Sequence, residues 1–367
     1  DKIISVKEKS LKNQELPSLE YYHGILVPGF INSHTHTELS FKKSRYQDQN
    51  QISDFIKHVQ NVRKSTTPLD DIAFKKLFHQ IEKNGTVFIA DIINSERGMN
   101  SKELSSLKFI NFYEFYTLTS KKTSEQIKHY KKVKEKFVKS DIYPSLHSPY
   151  TISESNHNNI SRLFYNGTFI TSMHYRESTD EIKLNESDSA LRELYKSISS
   201  DYTPYFKDNL FENSAGKLLR NCRKIILVHN TFITQKDISD LIKWSKKNNS
   251  EIMFSLCPRS NYNISGKLPD IKQLRESGFK LSLGTDSLLS SPDLSVFNEM
   301  LFIHNEKPEI PLSDLLKWIT LNPARFLGID KQFGSFESGK SPGINLLEFA
   351  DLNIHKIPEN VNIKRLI

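Results

Sequence analysis

Cysteine is nearly absent. Two residues in 367, Cys222 and Cys257, cannot build a disulfide framework, and a chain of this size does not need one. That usage fits a reducing compartment, so a cytoplasmic location is expected. Long apolar runs are missing as well. The longest, such as Lys224–His229, have the length of a strand and are bounded by charge, far short of the ~20 apolar residues of a membrane span. No basic start followed by an apolar segment appears, so a retained secretory signal is not expected. The chain opens at Asp1 rather than Met, and the expectation is that a few residues upstream are missing or processed. Low-complexity tracts and short sequence repeats are also lacking. The formal charge of +8 raises the question of nucleic acid, but no aromatic-interleaved arginine stripe or finger spacing accompanies it. The basic residues are mostly lysines on helical segments such as Lys131–Lys139 (KKVKEKFVK), where Val133, Phe137 and Val138 read as a buried stripe and the lysines as a wet face. Neither nucleic acid nor a membrane is expected as a partner.

Hydrophobic residues make up 37% of the chain and charged ones 26%, enough for a real core and too apolar for disorder. Short β-branched and aromatic runs alternate with longer segments of helical period, the pattern of a parallel sheet. The runs are Ile25–Ser33, Thr86–Ile92, Phe109–Tyr116, Ile142–Leu146, Thr168–Met173, Lys224–Val228, Glu251–Leu256 and Lys280–Leu283. Between them lie Ile52–Lys64, Asp70–Lys83, Ser124–Lys139, Lys236–Lys247 and Ile271–Ser277 as helices. Eight strands in 367 residues fit one α/β barrel with a small appendage.

Five of the twelve histidines fall at predicted C-terminal strand ends: His34, His36, His147, His174 and His229. Asp286 follows the eighth strand. In a closed βα barrel those ends converge on one face, where active sites lie. His34 and His36 stand at i and i+2 of an extended run, so both imidazoles point the same way and reach one cation. His174 and Asp286 complete a set of three neutral nitrogens and one carboxylate, which suits zinc foremost and also admits iron or manganese. Taken singly, Asp286 in GTDS also reads as a helix N-cap and His174 as a core histidine. A bound divalent cation lowers the pKa of its water toward ~7. Glu177, three residues past His174, is the candidate proton shuttle; a surface glutamate is the alternative. His229 is the candidate to orient or polarise the attacked centre, and Asp286 to accept the first proton besides binding metal.

These residues together resemble the amidohydrolase superfamily, in its cytosine-deaminase-like and chlorohydrolase branch. The matching text is Pro28–His36 (PGFINSHTH), His147–Thr151 (HSPYT), His174–Glu177 (HYRE), Val228–Asn230 (VHN), Cys257–Asn261 (CPRSN) and Gly284–Ser287 (GTDS). Asn322–Leu327 (NPARFL) and Gly334–Lys340 (GSFESGK) resemble the family's return from barrel to small domain. The resemblance implies an α/β fold, a distorted (β/α)8 TIM barrel over 28–334, with a small β-sandwich domain built from both termini, 1–27 with 335–367. It implies one catalytic metal held by His34, His36, His174 and Asp286, with Glu177 as proton shuttle and His229 as the substrate-polarising histidine. A second metal is not expected, because His147 stands where a bridging, usually modified, lysine would be needed. The chemistry implied is attack of metal-activated hydroxide on an amino-substituted ring carbon of a purine-like heterocycle, with loss of ammonia. Locally, Phe254–Asp270, Leu227–Phe232 and Asp286–Leu294 look like the aminodeoxyfutalosine deaminases.

The expected partner is therefore a small heterocyclic substrate, and the resemblance leaves room for a homodimer. Candidate substrate contacts are His147, Arg176, Arg259, Asn261 and Ser287, with Ser290 and Arg45 beside them. Cys257 reads as a small apolar filler, since no partner base is near it in sequence. Two further readings stay open at this level: a metal-dependent hydrolase of a cyclic amide or carbon–halogen bond, and a catalytically silent metal-binding barrel.

Overall fold

The computed structural model describes residues 2–7, 19–40, 46, 51–116, 118–164, 169–186, 188–200, 202–204, 210–348, 357–358 and 361–367. The first apolar run is two strands, not one. β1 (Ile25–Pro28) and β2 (Phe30–Thr35) part company at Gly29. The Gly29 amide donates to the carbonyls of Pro342 and Gly343, and a Cβ there would lie 2.3 Å from Val87 and 2.6 Å from the Pro342 carbonyl. Only glycine lets the chain turn this close to its neighbours. The Pro28–Gly29 pair is the mark of this break in the sequence.

β2 opens a four-stranded parallel sheet with β3 (Thr86–Ile93), β4 (Lys108–Phe115) and β5 (Asp141–Leu146). A second parallel sheet holds β6 (Ile170–Tyr175), β7 (Lys224–His229), β8 (Glu251–Leu256) and β9 (Lys280–Leu283). β6 begins and ends two residues later than its sequence period suggested, so His174 lies within the strand, paired with Val228. The halves meet along two seams. At one, the His174 amide donates to the His147 carbonyl (2.9 Å) and Thr171 Oγ1 to the Pro144 carbonyl (2.9 Å). At the other, Thr35 and Asp286 form a parallel bridge, the Thr285 amide donates to the His34 carbonyl (2.8 Å), and Ser33 Oγ donates to the Leu283 carbonyl (2.7 Å). The result is the distorted eight-stranded barrel.

Its inside is packed rather than hollow: Ile31, Ala90, Phe112, Ile170, Ile226 and Met253 belong to one buried cluster. Helices cover the outside, and their ends are capped by local chemistry. Asp70 accepts from the Ala73 amide at the start of Asp71–Lys83, and Thr234 with Asp237 forms a capping box on Gln235–Asn248. The lysine-rich helix runs Ser120–Lys136. Val133 and Phe137 are buried, but Val138 is 77% exposed, because the helix has ended and its phase no longer applies. The termini contribute an antiparallel sheet of β1, β10 (Ile344–Glu348) and β11 (Asn362–Arg365), in the order β1-β10-β11. Among the described residues, no helix is long and apolar enough to cross a membrane.

Candidate active site

The C-terminal ends of β2, β6 and β9 bring four side chains to one point. Their facing atoms are Nε2 of His34, His36 and His174 and Oδ1 of Asp286. Separations are 3.2 Å (His34–His174), 3.4 Å (His36–His174), 3.5 Å (His36–Asp286) and 3.8 Å (His34–Asp286). All four residues are buried. Burial first, and then the neighbouring imidazoles, hold His34 and His174 well below the usual histidine pKa, so these rings are neutral and their nitrogens face each other. A single proton can satisfy only one nitrogen pair at a time. Zinc bond lengths of about 2.0–2.1 Å in a tetrahedron require donor separations of about 3.3 Å, close to those observed. The donor set fits one divalent cation.

The surroundings fix these donors from behind. Asp286 Oδ2 accepts from Ser260 Oγ (2.7 Å) and Ser290 Oγ (2.5 Å), leaving Oδ1 to the cluster. Asp286 itself has φ +57, a left-handed conformation costly for a non-glycine residue and held by Thr35 Oγ1 donating to its carbonyl (2.8 Å). Beside His36, Asp91 accepts from the Thr37 amide (2.9 Å) and Thr37 Oγ1 (2.6 Å), and its charge is met by Lys102. Gly284 lets β9 reach β2: a Cβ there would stand 2.7 Å from both the His34 Cβ and the His34 carbonyl oxygen. Gly284→Ala is expected to cost about 1–3 kcal/mol by overpacking and to lower bound metal, read by urea denaturation and elemental analysis. An unaltered urea midpoint would show that the two strands separate freely there.

Glu177 stands beside the cluster and is itself buried. Its Oε1 lies 3.5 Å from His229 Nε2, its Oε2 4.0 Å from His174 Nδ1, and Tyr150 OH donates to Oε2 at 3.5 Å. Burial raises its pKa to about 7 against the opposing pull of His229, where a carboxyl group can both take and give a proton near neutrality. His147 is half-buried, its pKa lowered to about 4 by burial, and its ring sits 4.8 Å from that of His174 and 4.6 Å from that of Tyr116.

His36, His147, His174, Glu177, Asp286 and Ser287 line a cavity of about 530 Å³. One wall is made by Leu39, Leu118 and the helix Ile52–Ser65, through Ile52, Phe55, Ile56 and Val59 but also Gln60 and Arg63, and Lys122, Glu125 and His129 line the cavity as well. The sequence reading did not reach this wall, although Phe55 and Val59 share a helix face at i and i+4. It also missed Glu114, a buried carboxylate on β4 that accepts from Asn94 Nδ2 (3.1 Å) and can share a cation with His36 and His174. Alternation along β4 with buried Ile110 and Phe112 places it inward. Burial works to raise its pKa, but His147 and His36 together with hydrogen bonds from Tyr116 and Asn94 outweigh it, and the net shift is down.

Three expected substrate contacts are not brought to the cavity. Arg176 (φ +53) pairs with Asp237 at the start of the helix Gln235–Asn248. Arg259 is held by Glu299 (2.9 Å) and Asp293 (2.7 Å). A buried guanidinium needs its carboxylate partners, so neither is free for a ligand. Asn261 Oδ1 lies 2.7 Å from His229 Nδ1 and supports that ring instead. Ser290 is spent on Asp286, and Arg45 falls outside the described residues. Cys257 is fully buried, and burial pushes its thiol pKa well up, as a filler requires.

Residues 25–367 match the model of the amidohydrolase family. The adenosine deaminase of Helicobacter pylori is 25% identical over 95% of this chain and 86% of its own length. A 5-methylthioadenosine/S-adenosylhomocysteine deaminase of Bacillus cereus is 24% identical over 93% of this chain and 77% of that protein. Among solved structures, Helicobacter pylori aminofutalosine deaminase in complex with methylthio-coformycin superposes with a TM-score of 0.73 at 24% identity, covering 89% of this chain and 79% of that one. A zinc-bound adenosine deaminase from Xanthomonas campestris gives 0.67 at 17% identity over 90% and 73%.

Proposed function

Because the chain belongs to the amidohydrolase family, we propose that it is a zinc-dependent deaminase of an amino-substituted purine carried on a nucleoside. The observation that carries this reading is the convergence of His34, His36, His174 and Asp286, with His34 and His36 each 3.2–3.8 Å from both His174 and Asp286, and with Glu177 and His229 at their side. These four are the proposed ligands, a nitrogen-rich set that favours zinc over harder cations. A divalent cation held there supplies Lewis acidity that lowers the pKa of a water toward ~7.

The protein's own groups do the rest. Asp286 and Glu177 remove the two protons of the attacking water in turn. The first passes by way of Glu177 to the ring nitrogen next to the attacked carbon. The second, from the hydroxyl newly bonded to that carbon, passes to the amino group, whose carbon–nitrogen bond breaks as the carbon becomes a carbonyl and ammonia leaves. His229 turns Nε2 toward Glu177 Oε1 (3.5 Å) beside the ligand cluster. His147 and Ser287 line the cavity, where they are proposed to hydrogen-bond the ring. The 530 Å³ volume and the apolar side chains of Ile52, Phe55, Ile56 and Val59 favour a nucleoside with a bulky apolar 5′ substituent over a bare base. The names of the relatives, which act on methylthioadenosine and aminofutalosine, support the same class. Two buried free cysteines support a cytoplasmic location.

Purified protein is expected to hold about one equivalent of zinc per chain, bound by three histidines and one aspartate with a position left open for water. Ammonia release should be measured with adenosine, 5′-methylthioadenosine, S-adenosylhomocysteine, aminodeoxyfutalosine, guanine and cytosine. The apolar 5′-substituted nucleosides are expected to turn over best. Silence on every 6-aminopurine nucleoside, with zinc in place, overturns the proposal; halide release from a chlorinated heterocycle would then identify a different hydrolase.

A further inference from the structure

The carboxamide of Asn261 touches His229 twice. Oδ1 lies 2.7 Å from Nδ1 of the ring, and Nδ2 lies 3.5 Å from the main-chain carbonyl oxygen of the same residue. His229 has φ +72 and the next residue, Asn230, has φ +55. Two successive left-handed residues that are not glycine are costly, and the chain reversal is pinned by the Asn230 amide on the Tyr175 carbonyl (3.0 Å) and by Asn230 Nδ2 on the Leu227 carbonyl (2.8 Å). The His229 carbonyl is therefore a fixed feature of the site.

A carbonyl oxygen can only accept a hydrogen bond. Turning the Asn261 amide over would set Oδ1 against that oxygen, acceptor against acceptor. The NH2 end must face the carbonyl, so Oδ1 must face the ring, and Nδ1 must carry a proton to give it. In a neutral imidazole the other nitrogen is then bare. Asn261 is 2% exposed and His229 1%, so water does not compete for this bond.

We infer that Asn261 is a positioning residue that keeps a proton on His229 Nδ1, so that in the neutral ring Nε2 is an acceptor toward the attacking water rather than a donor to the ring under attack. The assignment of the ring to the reaction rests on the deaminase reading; the tautomer does not. Asn261 sits on the first turn of the helix Pro258–Ser265, directly after two other anchored residues. Arg259 ties that turn to Glu299 and Asp293, and Ser260 holds Asp286 Oδ2. One turn thus orients a metal donor and the catalytic histidine together.

The test is long-range proton–nitrogen correlation on zinc-loaded protein labelled with nitrogen-15 histidine, with His229 identified by the signals lost in His229→Gln. The expected spectrum has Nδ1 protonated and Nε2 bare. A proton on Nε2 alone overturns the inference without any variant. In Asn261→Ala the proton should redistribute between the two nitrogens, kcat should fall about 10–100-fold, as for loss of an outer partner, and KM and zinc content should stay near their parent values. Asn261→Asp keeps an acceptor opposite Nδ1 and should retain the proton there, while its second oxygen meets the His229 carbonyl acceptor to acceptor, so the nitrogen pattern is kept and the Tm falls. An unchanged nitrogen pattern in Asn261→Ala also overturns it. The expected tautomer in a protein silent on all six substrates would sustain the inference and reject the deaminase reading.

Discussion

Glu177→Gln is expected to cut turnover by at least ~100-fold while leaving zinc bound and the fold intact. The amide keeps the size of the side chain and can still meet Tyr150, whose hydroxyl lies 3.5 Å from Oε2, but it has no proton to take or give. Stability separates this loss from a folding defect. Burial raises the folded-state pKa of Glu177 from 4.5 to about 7, so between those values the folded protein holds a proton that the unfolded chain releases. Stability therefore falls as pH rises through that window. The glutamine variant escapes this term, and its Tm at pH 8 should equal or exceed the parent's. Turnover within a few-fold of the parent would remove Glu177 from the proton path.

The second large effect is on the metal. His174→Ala deletes the nitrogen that lies 3.2 Å from His34 Nε2 and 3.4 Å from His36 Nε2. Affinity for zinc should fall by more than the 10–100-fold typical of an outer hydrogen-bond partner, because a donor and not its support is lost. Protein dialysed against a weak chelator should then emerge nearly zinc-free, where the parent keeps about one equivalent. Full occupancy in the alanine variant would take His174 off the ligand set.

The barrel and the meeting of its rim residues were legible because strand ends are marked by composition. An apolar run that stops at a histidine says where the chain leaves the sheet, whatever the register. What the chain does just after that point was not legible. Arg176, Arg259 and Asn261 stand in the right turns, yet each side chain is claimed by a partner far off in sequence: Asp237, Glu299 with Asp293, and His229. Local pattern cannot show such a partner. The break at Gly29 carries a local mark, Pro28–Gly29, although the Val87 side chain and Pro342 carbonyl that demand glycine are distant in sequence. Glu114 was missed because it was sought at strand ends, while it occupies the penultimate position of β4.

The two half-barrels are stitched at their rims by the same residues that converge at the centre. His34 and His36 come from the half that begins with β2; His174 and Asp286 come from the other, at its two opposite edges. A cation shared among them is a clasp as well as a reagent. Its binding energy must appear as resistance to separating the halves, growing with the logarithm of free metal. Depletion would then be felt as slackening of the rim, so scarcity of the metal would shorten the life of the protein along with its activity.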